Sequence, residues 1–208
     1  MIHVVYLIML LFSVPADPVS VSRERFDAIQ SYRATLIARS FGTEERLRYY
    51  FKKPGFVRME MELPFPGVVI TYDPERGEVR VRPFAFLSRF VLALSPENRL
   101  LRSASGHRVD ESDFGALLRD VLQLQENGET VVQGRELILG YQTLKVQVIG
   151  RENFSTRHGV YKYIVWIDQA TFLPVKVATY DSDHELLEEV TVHDLEVNVE
   201  FTEDFFEL

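Results

Sequence analysis

The chain has 208 residues, 46% hydrophobic and 26% charged, which suits one domain able to bury a full core. Its formal net charge of -8 argues against a nucleic-acid partner, because Lys52, Lys53, Arg58, Arg80 and Arg82 alternate with acidic and apolar residues instead of clustering. The absence of cysteine excludes disulfides and any lipid attachment through a cysteine.

Val4 to Phe12 is an uninterrupted apolar run of signal-peptide length, short for a bilayer span. Val14 and Ala16 supply the small residues that precede a signal-peptidase cut. Residues 1–16 are therefore expected to be a signal peptide and 17–208 a single exported, periplasmic domain, with an N-terminal membrane anchor as the alternative. Val21 to Ile29 carries apolar groups at helical spacing, with Ser20 or Ser22 able to cap.

Strand signals follow. "SYRATLIARS" sets Tyr32, Ala34, Leu36 and Ala38 on one side, and "RLRYYFKKP" does the same with Leu47, Tyr49 and Phe51. "FVRMEMEL" alternates most cleanly, with Val57, Met59, Met61 and Leu63 opposite Phe56, Arg58, Glu60 and Glu62. "GVVITYDPERGEVRVRP" reads as a hairpin turning at Asp73 to Gly77.

"PFAFLSRFVLAL" is apolar almost all round and predicts a helix from Phe84 to Leu94, bounded by Pro83 and by Ser95-Pro96. "SDFGALLRDVLQL" places Phe114, Leu117, Leu118, Val121 and Leu122 on one helical stripe. Strands resume from Glu129 to Gly150, from Tyr161 to Tyr180, and from His184 to Val199. In the middle pair, Tyr161, Tyr163, Val165 and Ile167 share one face, while Ile164 and Trp166 lie on the other. The return strand puts Leu173, Val175 and Val177 opposite Pro174, Lys176, Ala178 and Tyr180. A sheet resting on solvent shows one polar face. Here both faces carry apolar groups and need cover.

No Gly-x-Ser-x-Gly elbow, phosphate loop, dinucleotide fingerprint or His-Glu-x-x-His is present. His107, His158, His184 and His193 fall in separate segments, so no metal site is expected. Acidic pairs such as Glu188-Glu189 and Glu203-Asp204 read as solvent-facing. The expectation is a protein without catalytic residues, metal or cofactor. Run-on strands interrupted by grouped helices make an α+β domain.

Two stretches carry a family resemblance. "FKKPGFVRMEMELPFPGVVITYDPERGEVRV" resembles the early strands of the LolA/LolB-like superfamily of periplasmic outer-membrane lipoprotein carriers. "VWIDQATFLPVKVATYDSDHELLEEVTVHDLEVNVEFTEDFFEL" resembles its last strands, and "HRVDESDFGALLRDVLQL" is similar to a helix in an uncharacterised branch. The resemblance implies a strongly curved antiparallel sheet forming an incomplete β-barrel, with helices covering the concave face as a lid.

It also implies a lipid-binding interior. On this chain that surface would comprise Tyr32, Leu36, Tyr49, Phe51, Val57, Met59, Met61, Ile70 and Val81 from the sheet. Phe114, Leu117, Leu118 and Val121 would face them from the lid. Lys53, Phe86 and Phe90 would serve the lid and its gating, the lid touching a membrane or a partner during loading. In the soluble carriers an Arg stands where Lys53 stands here, and a point charge lacks the planar fork that makes a multi-bond latch. The function implied is sequestration and transfer of an acylated or lipidic ligand, without catalysis. The alternative is a protein-interaction module like the envelope-stress regulators of the same fold, displaying its surface to an envelope-protein partner.

Overall fold

The computed structural model describes residues 15–83, 90–101, 108–152 and 154–208. Helix α1 (Pro18–Ala28) leads into a meander of β1 (Ser31–Ser40), β2 (Thr43–Lys52), β3 (Phe56–Leu63), β4 (Val69–Asp73), β5 (Glu78–Arg82) and β6 (Leu92–Leu94). Helix α2 (Phe114–Glu126) then precedes a second meander. This comprises β7 (Gly128–Ile138), β8 (Tyr141–Gly150), β9 (Lys162–Asp168), β10 (Pro174–Tyr180) and β11 (Leu186–Val197).

All eleven strands join one antiparallel sheet in the order β6-β5-β4-β3-β2-β1-β11-β10-β9-β8-β7. The sheet curves without closing, since β6 and β7 end it on opposite sides. The expected incomplete barrel is thus the architecture found. The two meanders meet at a single seam, where β1 pairs with β11 from Tyr32↔Val197 to Arg39↔Glu189.

Both helices begin on an aspartate. Asp17 accepts the backbone N–H groups of Val19 and Ser20 at 3.1 and 3.2 Å, and Pro18 follows it in the first turn. The helix therefore starts earlier than Val21, and neither Ser20 nor Ser22 is its cap. Ser20 instead donates its hydroxyl to Asp17. Burial pushes the Asp17 carboxyl up, but the hydrogen bonds from Ser20, Val19 and Gln125 outweigh it and hold the group below the usual carboxylate range. Asp113 caps α2 in the same way, accepting from Gly115 and Ala116 at 2.6 and 3.2 Å. It is more deeply buried, and burial prevails there: its carboxyl lies above the usual range.

α2 and α1 lie against each other because Gly115 has no side chain: a Cβ there would collide with the Phe26 ring. Gly128 has a similar duty where α2 turns into β7, since a Cβ would strike the carbonyl oxygen of Ile149.

Two further expectations are corrected. Residues 92–94 are not helical: they form β6, pairing Val81↔Leu92 and Val79↔Leu94. An apolar run without alternation fits a strand as well as a helix, and the free edge of β5 decides in favour of pairing. Of the rest of that segment, Phe90 and Val91 are not helical either, and residues 84–89 lie outside the described residues. On β10, a bulge between Pro174 and Lys176 inserts Val175 as an extra residue. Val175 therefore leaves the face of Leu173 and Val177 and is buried on the other side with Trp166 and Ala178.

That second cluster shows what covers the outer face. Trp166, Val175 and Ala178 are covered by Ile138 and Tyr141 from the β7–β8 hairpin and by Ile164 and Tyr180. The Trp166 indole N–H donates to Glu136 Oε2 at 2.7 Å, and Glu136 also holds Lys145 at 2.9 Å. The ammonium groups of Lys145 and Lys176 stand 5.2 and 4.8 Å from the indole ring centroid. Elsewhere on the outer face, the C-terminal segment lies across β2 and β3. Phe205 packs on Tyr50 at 5.0 Å, and Arg58 donates to the Phe205 carbonyl at 2.8 Å.

Candidate functional site

The inward side chains of the first meander line up in cross-strand rows. One row runs Tyr32, Phe51, Val57, Tyr72, Val79 and Leu94 across β1 to β6. The next runs Ala34, Tyr49, Met59, Ile70, Val81 and Leu92. A shorter third row joins Leu36, Leu47 and Met61. Antiparallel register and period-2 alternation force these alignments.

Every residue expected to face inward from sheet or lid belongs to one apolar cluster. Tyr32, Tyr49, Phe51, Val57, Val81, Phe114, Leu118 and Val121 are buried. Leu36, Met59, Met61, Ile70 and Leu117 are only partly buried against them. Along the second row, Tyr49 is buried, Met59 and Ile70 are partly open, Val81 is buried again, and Leu92 at the edge is 40% exposed. The concave face is thus sealed under the helices and at β5, and is partly open at Leu36, Met59, Met61 and Ile70 and at the β6 edge. Its open part is aliphatic and thioether surface, adaptable to an irregular apolar guest.

Under the helices the floor is aromatic. Tyr32 stacks on Phe51, Phe114 and Tyr49 with ring centroids 5.1, 4.8 and 5.7 Å apart. The two buried phenols also hold the start of α2. The Phe114 N–H donates to Tyr32 Oη at 3.3 Å, satisfying a group the first helical turn leaves orphaned. Ser112 Oγ gives its proton to the Val109 carbonyl at 2.6 Å, so the Tyr49 hydroxyl is the donor in its 3.0 Å bond with Ser112. Burial and the nearby Asp113 carboxylate push the Tyr49 phenol far above its ordinary range. For Tyr32, burial leads and Tyr49 and Asp113 reinforce it, so both phenols stay neutral donors or acceptors.

Lys53 ties the sheet to α1. Its ammonium donates to the carbonyls of Asp27 and Phe26 at 2.6 and 3.2 Å and sits 5.3 Å from the Phe26 ring centroid. Both carbonyls belong to the last turn of α1, at the negative end of the helix dipole, and that of Phe26 also accepts the Ile29 N–H at 3.2 Å. A planar fork is unnecessary because one ammonium reaches both acceptors. Arg23 adds a second tie, donating to the Gly115 carbonyl at 3.1 Å and so joining α1 to α2. Of the other residues expected to gate, Phe90 is 50% exposed beside β6, and Phe86 lies outside the described residues.

Sequence reasoning did not single out Tyr72 or Arg23, and it assigned Leu94, which with Tyr72 completes the first row, to the expected lid helix. It also passed over the charged group where Glu111 and Asp120 meet Arg157 and His158. Tyr72 and Leu94 could have been found from alternation alone once β4 and β6 were placed. Among the described residues no set of three or more acidic, His or Cys side chains is arranged to hold a metal ion. Among them, too, no helix is long and apolar enough to cross a membrane.

A family model described as the MucB/RseB N-terminal domain matches residues 88–207. No curated protein matches. Among solved structures, MucB of Pseudomonas aeruginosa in its complex with MucA superposes with a TM-score of 0.54 at 14% identity. That match covers 90% of this chain but 61% of the MucB chain, so this chain spans less than two thirds of that relative. An uncharacterised conserved protein of Thermus thermophilus gives 0.56 at 13% identity, covering 90% of each chain. The lipoprotein LppX of Mycobacterium tuberculosis gives 0.54 at 13% identity, over 89% of this chain and 95% of its own. The LolA/LolB-like fold expected from the strand motifs is therefore the fold observed, and with more than half its length matched by the model, the chain belongs to the MucB/RseB N-terminal domain family.

Proposed function

We propose that this domain is a non-catalytic, periplasmic binding module that receives an acylated or lipidic ligand on its concave face. The observation that carries the reading is the half-buried apolar surface of Leu36, Met59, Met61, Ile70 and Leu117, continuous with the buried floor beneath α1 and α2. Apolar side chains left partly open at the mouth of a larger apolar interior suit a guest with a flexible hydrocarbon chain. Helices fastened at their ends by a few side chains, Lys53 and Arg23 on α1 and the tyrosine pair on α2, can shift to admit it.

The second reading is recognition of an envelope protein, and the family match favours it, because the relative in that family was solved as a complex with MucA. The two readings are compatible if the ligand alters how the helices present themselves to the partner. The deciding experiment is extraction of the protein purified from its native host, followed by lipid mass spectrometry, beside titration with a fluorescent fatty acid. Co-purified acyl species and saturable probe binding support the carrier reading. No acyl species and no probe binding would reject it and leave the protein-partner reading.

A further inference from the structure

We infer that Arg157 and His158 form a pH-responsive clasp fastening the β8–β9 connection to α2. A tight turn builds it: Thr156 N–H donates to the Val160 carbonyl and Gly159 N–H to the Thr156 carbonyl, each at 2.9 Å. Arg157 and His158 project from this turn toward two carboxylates on other elements. Glu111 lies in the 3-10 turn Val109–Glu111 just ahead of α2, and Asp120 lies within α2 itself.

Arg157 Nη1 meets Glu111 Oε1 at 2.9 Å, and its Nη2 stands 3.9 Å from Asp120 Oδ1. The second oxygens of the same carboxylates face the imidazole, with His158 Nε2 3.9 Å from Glu111 Oε2 and 4.0 Å from Asp120 Oδ2. The Tyr163 phenol borders the group from β9, kept neutral by burial, which together with Asp120 raises it far above its ordinary range. Glu188 on β11 faces Tyr163 in turn.

The charge count makes the device. Two carboxylates and one permanent guanidinium leave one negative charge uncompensated, and Asp120 and Glu111 are only 9% and 17% exposed. Burying an unbalanced carboxylate is costly. A proton on His158 balances the group and converts two long contacts into ion pairs spanning loop, turn and helix. Arg157 and the burial of the ring oppose that proton, but two carboxylates stand within 4.0 Å of Nε2, so we take the balance to favour the imidazolium. The folded state then binds the proton more tightly than the unfolded chain does. The clasp's contribution is fully present below the ordinary histidine value of about 6.5 and is lost as pH rises through the higher folded value.

α2 carries Leu117, Leu118 and Val121 on its inner side, so loosening its outer fastening eases access to the concave face. That consequence rests on the carrier reading; the clasp does not. The test is an NMR titration of the imidazoles in the whole chain, with His158 assigned by His158→Gln, alongside hydrogen exchange of the α2 amides. His158 should titrate above about 6.5, and Glu111→Gln should bring it back toward that value. Protection of α2 should fall by roughly threefold to tenfold between about pH 5.5 and 8, and this slope should vanish in His158→Gln. A His158 ring titrating at or below the ordinary value would overturn the inference, as would an unchanged α2 slope in His158→Gln. Fatty-acid binding indifferent to pH while the ring titrates high would leave the clasp standing and remove only its link to access.

Discussion

Replacing Lys53 with Met removes the ammonium while keeping an unbranched side chain of similar reach, so packing along the stem survives. Three interactions are lost. The hydrogen bonds to Asp27 and Phe26 at 2.6 and 3.2 Å disappear, as do the charge at the end of α1 and the cation over the Phe26 ring at 5.3 Å. A cation in the last turn is worth about 0.3–1 kcal/mol and a partly exposed cation over an aromatic ring about 0.5–1 kcal/mol. Water replaces the lost donors on the more exposed Asp27 carbonyl, so the hydrogen bonds add little beyond these terms. The sum is a loss of about 1–2 kcal/mol. For a domain of this size that corresponds to a fall in Tm of roughly 2–8 °C. The effect should also be local, with amide exchange accelerating in residues 20–28 and not in β9 or β10. A melt within about 1 °C of the parent protein, with α1 exchange unchanged, would show that the aromatic packing of Phe26 holds the helix and that Lys53 is incidental.

Three further outcomes follow from the same geometry. Met59 is partly buried in the middle of its row, so Met59→Glu should leave a folded protein that no longer binds fatty-acid probe; an unfolded variant in circular dichroism would mean Met59 belongs to a solid core. Leu118 is fully buried against the aromatic floor, and Leu118→Ala should cost about 2–5 kcal/mol in urea denaturation, a loss under about 1 kcal/mol showing that α2 is not seated as described. The two capping aspartates should respond oppositely to acid. Asp17, held below its ordinary value, contributes stability present above the unfolded value and lost as pH falls through the folded one, so Asp17→Ala should cost about 1 kcal/mol at neutral pH and less in acid. Asp113, raised by burial, gains stability on protonation, so Asp113→Asn should be neutral or stabilising at pH 7; a loss as large as that of Asp17→Ala would refute the assignment.

Where one physical rule governed a segment, the sequence could be read directly. β1 and β3 fall at Ser31–Ser40 and Phe56–Leu63 because their alternation is uninterrupted, and α2 follows its stripe of Phe114, Leu118 and Val121. The inward set was readable for the same reason, since alternation fixes the face and curvature decides which face is inside. Three things depended on partners outside the segment itself. Residues 92–94 became a strand because β5 offered an edge, and Val175 changed sides because β9 and β10 differ by one residue over the same span. The Glu111, Asp120, Arg157 and His158 group is assembled from three segments whose separations carry no pattern. Lys53 stood out in sequence through its place before a proline, but its two carbonyl acceptors appear only once α1 is docked.

The seam between β1 and β11 bears on how the chain reaches its native state. Within each meander, neighbouring strands are joined mostly by short connections, so most pairings close small loops at little entropic cost. Tyr32↔Val197 and Leu36↔Val192 instead join residues more than 150 positions apart, and that pairing also fixes one curved half against the other. A search of that range is slow compared with hairpin formation, which makes the seam the natural late event in folding. Until it forms, the edges of β1 and β11 are both open, with Ile37 and Val192 available to strands of other molecules. A chain shortened before Leu186 would keep the first meander and lose its partner for β1. It should therefore aggregate rather than persist as a smaller soluble domain.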